Sequence, residues 1–259
     1  IPIIRPLNAS LTAEKIEAIT GILNGTTNYI LTKMQNGGAK FEDVLKEAQD
    51  LGYAELHPEA DVEGFDACRK IAILSSLMTG KTVCYEDIYT EGITKITAED
   101  MKYAEAMKSA IKLLAMGNRQ GDKFFAMVAP RMINKHHPLY SVDDVFNGIL
   151  VKGNMVGDVM FYGRGAGKLP TASAVVADIV DAAKHVGTNI MTHWSNKKLA
   201  LSSCDEAENV FFVRVPAEEK EAAQATFGNV KEVTAEGVTG EFAFVTEKMT
   251  EAAFAEKSK

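Results

Sequence analysis

The chain has 259 residues, of which 46% are hydrophobic, and it carries a formal net charge of −7 at neutral pH. This length and composition allow a large buried core, which excludes a disordered chain, and no apolar run approaches the roughly 20 residues that cross a bilayer. Because the acidic excess opposes the attraction to phosphate that dominates nucleic-acid binding, we expect neither a nucleic acid nor a membrane as partner.

Helical spacing of apolar residues dominates the first half of the chain. Residues 40–51 have this spacing and are followed by Gly52, a residue type that often stands just past a helix C-terminus. Residues 65–78 predict a second helix, with Gly80 beyond its end. Residues 97–116 begin with acidic residues and carry an apolar face, which predicts a third helix.

The following segments predict strands. Residues 123–129, 147–152 and 156–162 are short, rich in Val, Phe and Ile, and separated by glycine turns. Residues 191–208 lose this periodicity and gain polar residues, which predicts a linker. We therefore expect an α+β domain over residues 1–190, with a mixed β-sheet backed by helices.

The remainder, residues 209–259, predicts a small β-α-β-β-α unit. Its expected elements are a strand at 210–215, a helix at 218–227, a hairpin of 230–238 with 241–245, and a helix at 250–257. This order is that of a ferredoxin-like unit whose last strand is missing.

The three cysteines, Cys68, Cys84 and Cys204, are widely spaced and form no CxxC pair. The pattern predicts neither a disulfide framework nor a metal site, and it fits a reducing cytoplasm. His136 and His137 are adjacent but have no helical His or nearby Cys to complete a ligand set, which is typical of a solvated loop.

The strongest local pattern is a loop rich in carboxylates that leads directly into the second helix, GYAELHPEADVEGFDACRK. Asp66 in the first turn and Lys70 one turn later share a face, in the favourable acid-before-base order. An ammonium between a carboxylate and apolar neighbours can be held partly desolvated, which eases proton donation. An ordinary surface ion pair explains the same spacing, and spacing alone favours that explanation.

The same run resembles the signature of homoserine dehydrogenases. Nine positions match in fixed register: Ala48, Gly52, Tyr53, Pro58, Asp61, Val62, Gly64, Asp66 and Lys70. One position departs, because His57 stands where the family usually has Asp, Asn or Ser. The resemblance implies NAD(P)-dependent interconversion of L-homoserine and L-aspartate 4-semialdehyde, in the biosynthesis of threonine, methionine and isoleucine.

The resemblance also implies roles for individual residues. Lys70, with Asp66, would act in catalysis by donating a proton to the aldehyde oxygen. Glu55 and Asp66 would hold homoserine, whose ammonium needs a carboxylate partner. Backbone at Gly52 would approach NAD or NADP. Asp61 is assigned to the same polar site, and loop capping explains it almost equally well.

Two further segments resemble the family. Residues 21–31 contain an Asn-Gly-Thr-Thr-Asn turn, which can cap a helix ending at Gly37 and which in the family borders the substrate pocket, here through Thr26. Residues 162–171 form a Gly-rich loop that is neither a Walker motif nor a GxGxxG fingerprint. Its resemblance implies that Gly167 touches the nicotinamide cofactor.

The chain shows no dinucleotide-binding βαβ fingerprint, and its opening IPIIRPL resembles the point where the family's chain leaves that domain. We therefore expect residues 1–190 to be the substrate-binding, catalytic and dimerisation domain of a homodimer, inactive without the nucleotide-binding domain. Residues 209–259 resemble an incomplete ACT regulatory unit, which implies threonine as a candidate effector.

Two other functions stay open at this point. One is a non-catalytic amino-acid-binding regulatory module, and the other is a dimer-forming assembly element. A regulatory module has no need for a proton donor, so the presence of Lys70 and Asp66 in register with Glu55 favours the enzyme.

Overall fold

The computed structural model describes residues 1–192 and 194–259. Its α-helices are α1 (Ile4–Ala9), α2 (Gly25–Gly37), α3 (Phe41–Asp50), α4 (Glu59–Val62), α5 (Phe65–Thr79), α6 (Ala98–Ala106), α7 (Lys168–Lys184), α8 (Lys220–Phe227) and α9 (Glu251–Lys257). Its strands are β1 (Ile16–Ile22), β2 (Lys81–Thr82), β3 (Tyr89–Thr90), β4 (Ser109–Gln120), β5 (Lys123–Asn134), β6 (Phe146–Gly153), β7 (Gly157–Arg164), β8 (Ser195–Lys198), β9 (Glu208–Asn209), β10 (Phe212–Pro216), β11 (Lys231–Val233), β12 (Glu241–Val245) and β13 (Met249–Thr250).

The fold is α+β, and its centre is a six-stranded mixed sheet in the order β3-β5-β4-β1-β6-β7. Strand β3 runs parallel to β5, and the other neighbouring pairs are antiparallel. Helices α2 and α5 pack against one face. Ile19, Ile30 and Ile71 are fully buried between the sheet and these helices, where apolar burial provides the main stabilisation. The predicted mixed sheet backed by helices is confirmed.

The opposite face of the sheet carries a smaller apolar cluster. Because successive strand residues alternate between faces, Ile22 and Leu114 point away from α2 and α5. They pack with Ile133, Leu139 and Val142. The last two belong to the segment that joins β5 to β6, so the centre of the sheet is buried on both faces.

Helices α3 and α5 lie where the sequence predicts them, and each is followed by glycine. Gly52, with φ of +74°, takes the left-handed conformation past the end of α3. The N–H groups of Gly52 and Tyr53 donate back to the carbonyls of Gln49 and Ala48, at 3.0 and 2.8 Å. This is the Schellman arrangement, and it fixes the direction in which the carboxylate-rich loop leaves the helix.

The prediction of one helix over residues 97–116 is wrong in its second half. Helix α6 ends at Ala106, Lys108 takes a positive φ of 53°, and β4 begins at Ser109. Residues 110–115 are all buried, because β4 lies between β5 and β1. A strand that is covered on both faces is mostly apolar, here with Lys112 as the exception, so its pattern also contains the spacing of a helical face.

The predicted strands of the sheet are confirmed as β5, β6 and β7, each extended by one to several residues. In the C-terminal unit, β10, α8, the β11–β12 hairpin and α9 also lie where predicted. Its three-stranded sheet has the order β10-β12-β11. Phe242 and Phe244 on β12 form a buried apolar cluster with Ala223 on α8. The identity of this unit as an ACT-like domain stays a prediction.

The segment predicted as a linker, residues 191–208, is bonded to the first unit. It contains β8, which pairs with β2 in parallel, and the Ser202 N–H donates to the Phe124 carbonyl at 2.9 Å. Beyond it, Arg214 on β10 contacts Asp100 on α6 at 2.6 Å. The two units are therefore joined by polar contacts as well as by the chain, and a domain boundary at residues 191–208 remains a proposal.

Candidate active site

The turn between β1 and α2 brings several predicted site residues together. Asn24 is the N-cap of α2, and its side-chain oxygen accepts the Thr27 N–H at 2.9 Å, a standard role for Asn. Its amide nitrogen donates to Asp61 Oδ1 at 2.7 Å and to Asp66 Oδ2 at 3.0 Å. One buried amide thus bridges two carboxylates, one from α4 and one from the first turn of α5.

Lys70 lies one turn after Asp66 on α5. Its Nζ donates to Asp66 Oδ2 at 2.6 Å and to the Leu23 carbonyl at 3.0 Å. Because an ammonium has three N–H donors, these contacts leave one donor free. The side chain is 49% exposed, so the free donor is accessible. The predicted i,i+4 pair is present, and it belongs to a network that includes a second carboxylate.

The apolar surroundings expected for Lys70 are only partly present. Leu74, one turn further along α5, is buried, whereas Ile73 is 40% exposed. The contacts of the ammonium itself are polar, to the Asp66 carboxylate and the Leu23 carbonyl.

The network carries more negative than positive charge. Asp61 and Asp66 stand against the single ammonium of Lys70, and Asp66 Oδ1 and Asp61 Oδ2 receive no hydrogen bond from another described residue. Two carboxylate oxygens are therefore available beside the free lysine donor. Such a site suits a small ligand with one cationic group and one oxygen that accepts a hydrogen bond.

The loop after α3 is held by its backbone. Thr26 Oγ1 donates to the Tyr53 carbonyl at 2.7 Å, and Gln49 Nε2 donates to the Glu55 carbonyl at 3.0 Å. The rings of Tyr53 and Tyr29 pack with their centroids 5.0 Å apart. The Glu55 carboxylate is exposed and forms no hydrogen bond or ion pair with another described residue. The structure therefore leaves Glu55 outside the Asn24 network, while Thr26 ties the α2 turn to its loop.

Tyr29 anchors this loop from beneath. Its hydroxyl donates to Glu47 Oε1 at 2.7 Å. Burial, together with this carboxylate, raises the pKa of Tyr29 to about 12. The phenol is consequently protonated at neutral pH and acts as a donor between α2 and α3.

A second anchor lies at the other end of the α2 turn. Lys112 on β4 is 2% exposed, and its Nζ donates to the Val142 carbonyl at 2.7 Å and to Asp143 Oδ1 at 2.8 Å. Asn28 Nδ2 donates to the same Val142 carbonyl at 3.1 Å. Desolvation lowers the pKa of Lys112, while Asp143 opposes that shift. These bonds fix the segment before β6 against α2.

The Gly-rich loop reaches the same corner of the molecule. Gly167 is the N-cap of α7, with φ of +110°. A Cβ at Gly165 would lie 2.2 Å from Asn147 Oδ1, so the loop is pressed against this buried amide. Asn147 in turn donates to the Ile22 carbonyl at 3.0 Å. The next residue, Leu23, supplies the carbonyl that accepts the hydrogen bond from Lys70. The loop is therefore connected to the ammonium through its packing contact with Asn147 and through two hydrogen bonds.

The predicted site residues thus fall into two groups. Asp61, Asp66 and Lys70 form one network, whereas Gly52 is exposed past the end of α3, Glu55 lies in the loop after it, Thr26 lies in the first turn of α2 and Gly167 is the N-cap of α7. Sequence reasoning missed Asn24 and Asn147 as parts of the site. The only signal for Asn24 was its place at the head of the Asn-Gly-Thr-Thr-Asn turn, and Asn147 gave none.

Within residues 1–192 and 194–259, no group of three or more His, Cys, Asp or Glu side chains is arranged to hold a metal ion. Cys68, Cys84 and Cys204 are free thiols, and burial raises the pKa of Cys68 and Cys204. None of the helices in this part of the chain is long and apolar enough to cross a membrane.

Comparison with known proteins agrees with the geometry. The family model for homoserine dehydrogenase matches residues 2–180. The homoserine dehydrogenase of Synechocystis sp. is 54% identical over 185 residues, which are 70% of this chain and 43% of that protein. The chain spans about half the length of the curated relatives it matches.

Solved structures show the same relationship. A homoserine dehydrogenase from Thiobacillus denitrificans is similar over 100% of this chain and 64% of its own, with a TM-score of 0.87 and 34% identity. A hyperthermophilic archaeal homoserine dehydrogenase in complex with NADPH is similar over 71% of this chain and 52% of its own, with a TM-score of 0.60 and 32% identity. The chain therefore belongs to the homoserine dehydrogenase family.

Proposed function

We propose that this chain is the substrate-binding and proton-transferring part of a homoserine dehydrogenase, which interconverts L-homoserine and L-aspartate 4-semialdehyde with NAD or NADP. The observation that carries the proposal is the Lys70 ammonium, which is held by Asp66 and the Leu23 carbonyl and keeps one donor free beside two carboxylates. In the direction of reduction Lys70 donates a proton to the aldehyde oxygen, and in the direction of oxidation it accepts the hydroxyl proton.

The excess negative charge accounts for an amino-acid substrate. Asp61 and Asp66 each present an unused oxygen, and Glu55 projects a third carboxylate from the adjoining loop. A hydrogen bond between a carboxylate and the substrate ammonium contributes roughly 1.5–3 kcal/mol, about twice a neutral one. The Thr26 hydroxyl already donates to Tyr53, so it can serve the substrate as an acceptor.

The glycines at the rim are suited to a dinucleotide. Helix α7 begins after Gly167, and the N–H groups of Lys168 and Leu169 in its first turn have no acceptor within the helix. Gly52 exposes backbone without a side chain at the end of α3. A bound nicotinamide would take up the hydride from the substrate carbon. Because the described residues contain no parallel βαβ unit of the dinucleotide-binding kind, we propose that most dinucleotide contacts come from another domain.

The test is steady-state kinetics on residues 1–259 joined to the dinucleotide-binding domain of a family member placed before Ile1. We expect homoserine-dependent formation of NADH or NADPH, and none from the 259-residue chain alone. Glu55→Ala should raise the homoserine KM with little change in kcat, since an ammonium contact is made in ground and transition states alike. Glu59→Ala, an exposed carboxylate in the same region, is the control. Absence of turnover in the joined protein contradicts the proposal.

A homodimer and a threonine effector complete the proposed assembly. Met155 and Val156 in the β6–β7 turn are apolar side chains that are 82% and 53% exposed. This exposed apolar surface supports self-association. The β10-β12-β11 order of the C-terminal sheet supports a ferredoxin-like effector unit. Sedimentation at micromolar concentration tests the dimer, and the same measurement with added threonine tests the effector. A monomer contradicts the dimer, and sedimentation that threonine leaves unchanged contradicts the effector.

A further inference from the structure

Asn24 uses its whole hydrogen-bonding capacity inside the site. The residue is 6% exposed. Its oxygen accepts both the N–H and the hydroxyl of Thr27, at 2.9 and 3.1 Å. Its nitrogen donates to one oxygen of Asp61 and to one of Asp66. An Asn side chain offers two donor hydrogens, and both are spent on carboxylates.

We propose that Asn24 is a positioning residue, which holds Asp61 and Asp66 in the single arrangement that binds the substrate ammonium. The inference rests on the proposed function, because it assigns the geometry of that substrate site. Asn24 itself does not touch the reacting atoms. It acts through the two carboxylates.

Electrostatics explains why such a residue is needed. Two oxygens that contact the same nitrogen, at 2.7 and 3.0 Å, lie no further apart than the sum of those distances. At that range two ionised carboxylates repel each other. The amide hydrogens of Asn24 lie between them and offset this repulsion. Without Asn24, Asp61 and Asp66 should move apart, and this movement weakens a cation site.

The helix cap fixes the orientation of the amide. If the side chain flipped, its oxygen would face both carboxylates and its nitrogen would face the Thr27 N–H. The contacts with the Thr27 N–H and with both carboxylates would then be repulsive, so the N–H cap selects the orientation in which the amide donates to the carboxylates. Each carboxylate spends one oxygen on Asn24 and presents the other, as Asp61 Oδ2 and Asp66 Oδ1.

The proton donor depends less on Asn24. Lys70 has its own direct contacts to Asp66 and to the Leu23 carbonyl. Loss of Asn24 should therefore impair substrate binding more than proton transfer. This separation of KM from kcat distinguishes positioning of the carboxylates from general damage to the site.

The experiment compares Asn24→Ser with Thr27→Val in the joined enzyme described above. Serine keeps a capping oxygen and lacks both amide donors. Valine removes the Thr27 hydroxyl from the other side of Asn24 and leaves the amide–carboxylate bonds intact. We expect Asn24→Ser to raise the homoserine KM about tenfold, the size of one charge-assisted hydrogen bond, with kcat within about threefold. Thr27→Val should leave KM within about twofold. An unchanged KM in Asn24→Ser, or an equal rise in both variants, would overturn the inference.

A measurement without turnover keeps this inference separate from the proposed function. In the nuclear magnetic resonance spectrum of the 259-residue chain, the two side-chain amide protons of Asn24 should be protected from exchange. Asp61→Asn should shift one of these signals and Asp66→Asn the other. Amide signals that neither substitution shifts, or that exchange freely in the wild type, contradict the hydrogen bonds from Asn24 to Asp61 and Asp66 even if the enzyme turns over. Absence of wild-type turnover with an intact bridge contradicts the proposed function alone.

Discussion

Helices α5 and α7 have similar lengths and similar apolar sequences, but they lie in opposite environments. The 15-residue α5 buries seven residues, Ala67, Cys68, Ile71, Ala72, Leu74, Ser75 and Ser76. The 17-residue α7 buries none. It exposes large apolar side chains by 45–83%: Leu169, Val175, Val176, Ile179 and Val180. Apolar composition alone therefore does not decide whether a helix is buried.

The difference in burial follows from where each helix lies relative to the sheet. Helix α5 packs across β1, β4 and β5, so its apolar face meets the centre of the core. Helix α7 follows β7, the edge strand, and has no buried residue. A contiguous exposed apolar face of this kind marks an interaction surface.

The largest expected effect belongs to α5. Lys70→Ala in the joined enzyme removes the proposed proton donor, and positioned acid-base catalysis contributes about 10² to 10⁴ in rate. We expect kcat to fall by that order in steady-state assays. Lys46→Ala is the control, because Lys46 also pairs with an aspartate four residues away, Asp50, at 3.4 Å on an exposed face. Near-wild-type turnover of Lys70→Ala would contradict the catalytic assignment.

The next prediction compares the two helices directly. Ile71 is 0% exposed and Ile179 is 62% exposed. Ile71→Ala should lower the free energy of unfolding by about 2–5 kcal/mol, since it leaves a cavity in the core. Ile179→Ala should change it by less than about 0.5 kcal/mol in the 259-residue chain. Urea denaturation of both variants measures the difference. Equal losses would show that α7 is covered in the isolated chain, contrary to the structure.

Much of the fold was predictable because local patterns coincide with it. The ends of α3 and α5 follow from Gly52 and Gly80, and the alternating strands of the C-terminal unit follow from their spacing. Strand β4 was not predictable, because a strand covered on both faces lacks the alternation that identifies strands. Only its place between β5 and β1 decides its conformation, and that is a property of the whole sheet.

The candidate site also contains local contacts, which the sequence predicted, and long-range contacts, which it did not. The Asp66–Lys70 contact is local, four residues apart on one helix, so its spacing predicted it. The Asn24 bridge joins positions 37 and 42 residues apart, and Asn147 reaches Ile22 over 125 residues. Contacts of that range arise from the sheet order, which the sequence did not reveal.

A third prediction concerns the loop that connects the site to α7. Gly165→Ala places a Cβ 2.2 Å from the buried Asn147 amide, whereas the nearest atom to a Cβ at Gly163 is on Ile1, at 4.0 Å. Overpacking of this kind costs about 1–3 kcal/mol, so Gly165→Ala should lower the unfolding free energy by that amount. Gly163→Ala should change it by less than about 0.5 kcal/mol. If Gly165→Ala is equally harmless, the loop is not packed against Asn147. That outcome contradicts the connection from this loop through Asn147 to Lys70.

The smallest effect at neutral pH concerns Tyr29, on the buried side of the comparison. The folded protein keeps this phenol protonated up to a pKa of about 12, whereas the unfolded chain releases the proton around the ordinary pKa of 10.0. A group whose folded pKa is raised stabilises the fold fully below the unfolded pKa and loses that contribution as pH rises through the folded one. The wild type should therefore lose stability relative to Tyr29→Phe between pH 10 and about 12, and the two should run in parallel below pH 10. Because the other tyrosines titrate in both proteins, the difference between their urea denaturation curves isolates Tyr29. A constant difference across the whole range would mean that the Tyr29–Glu47 contact does not hold the phenol in its protonated form.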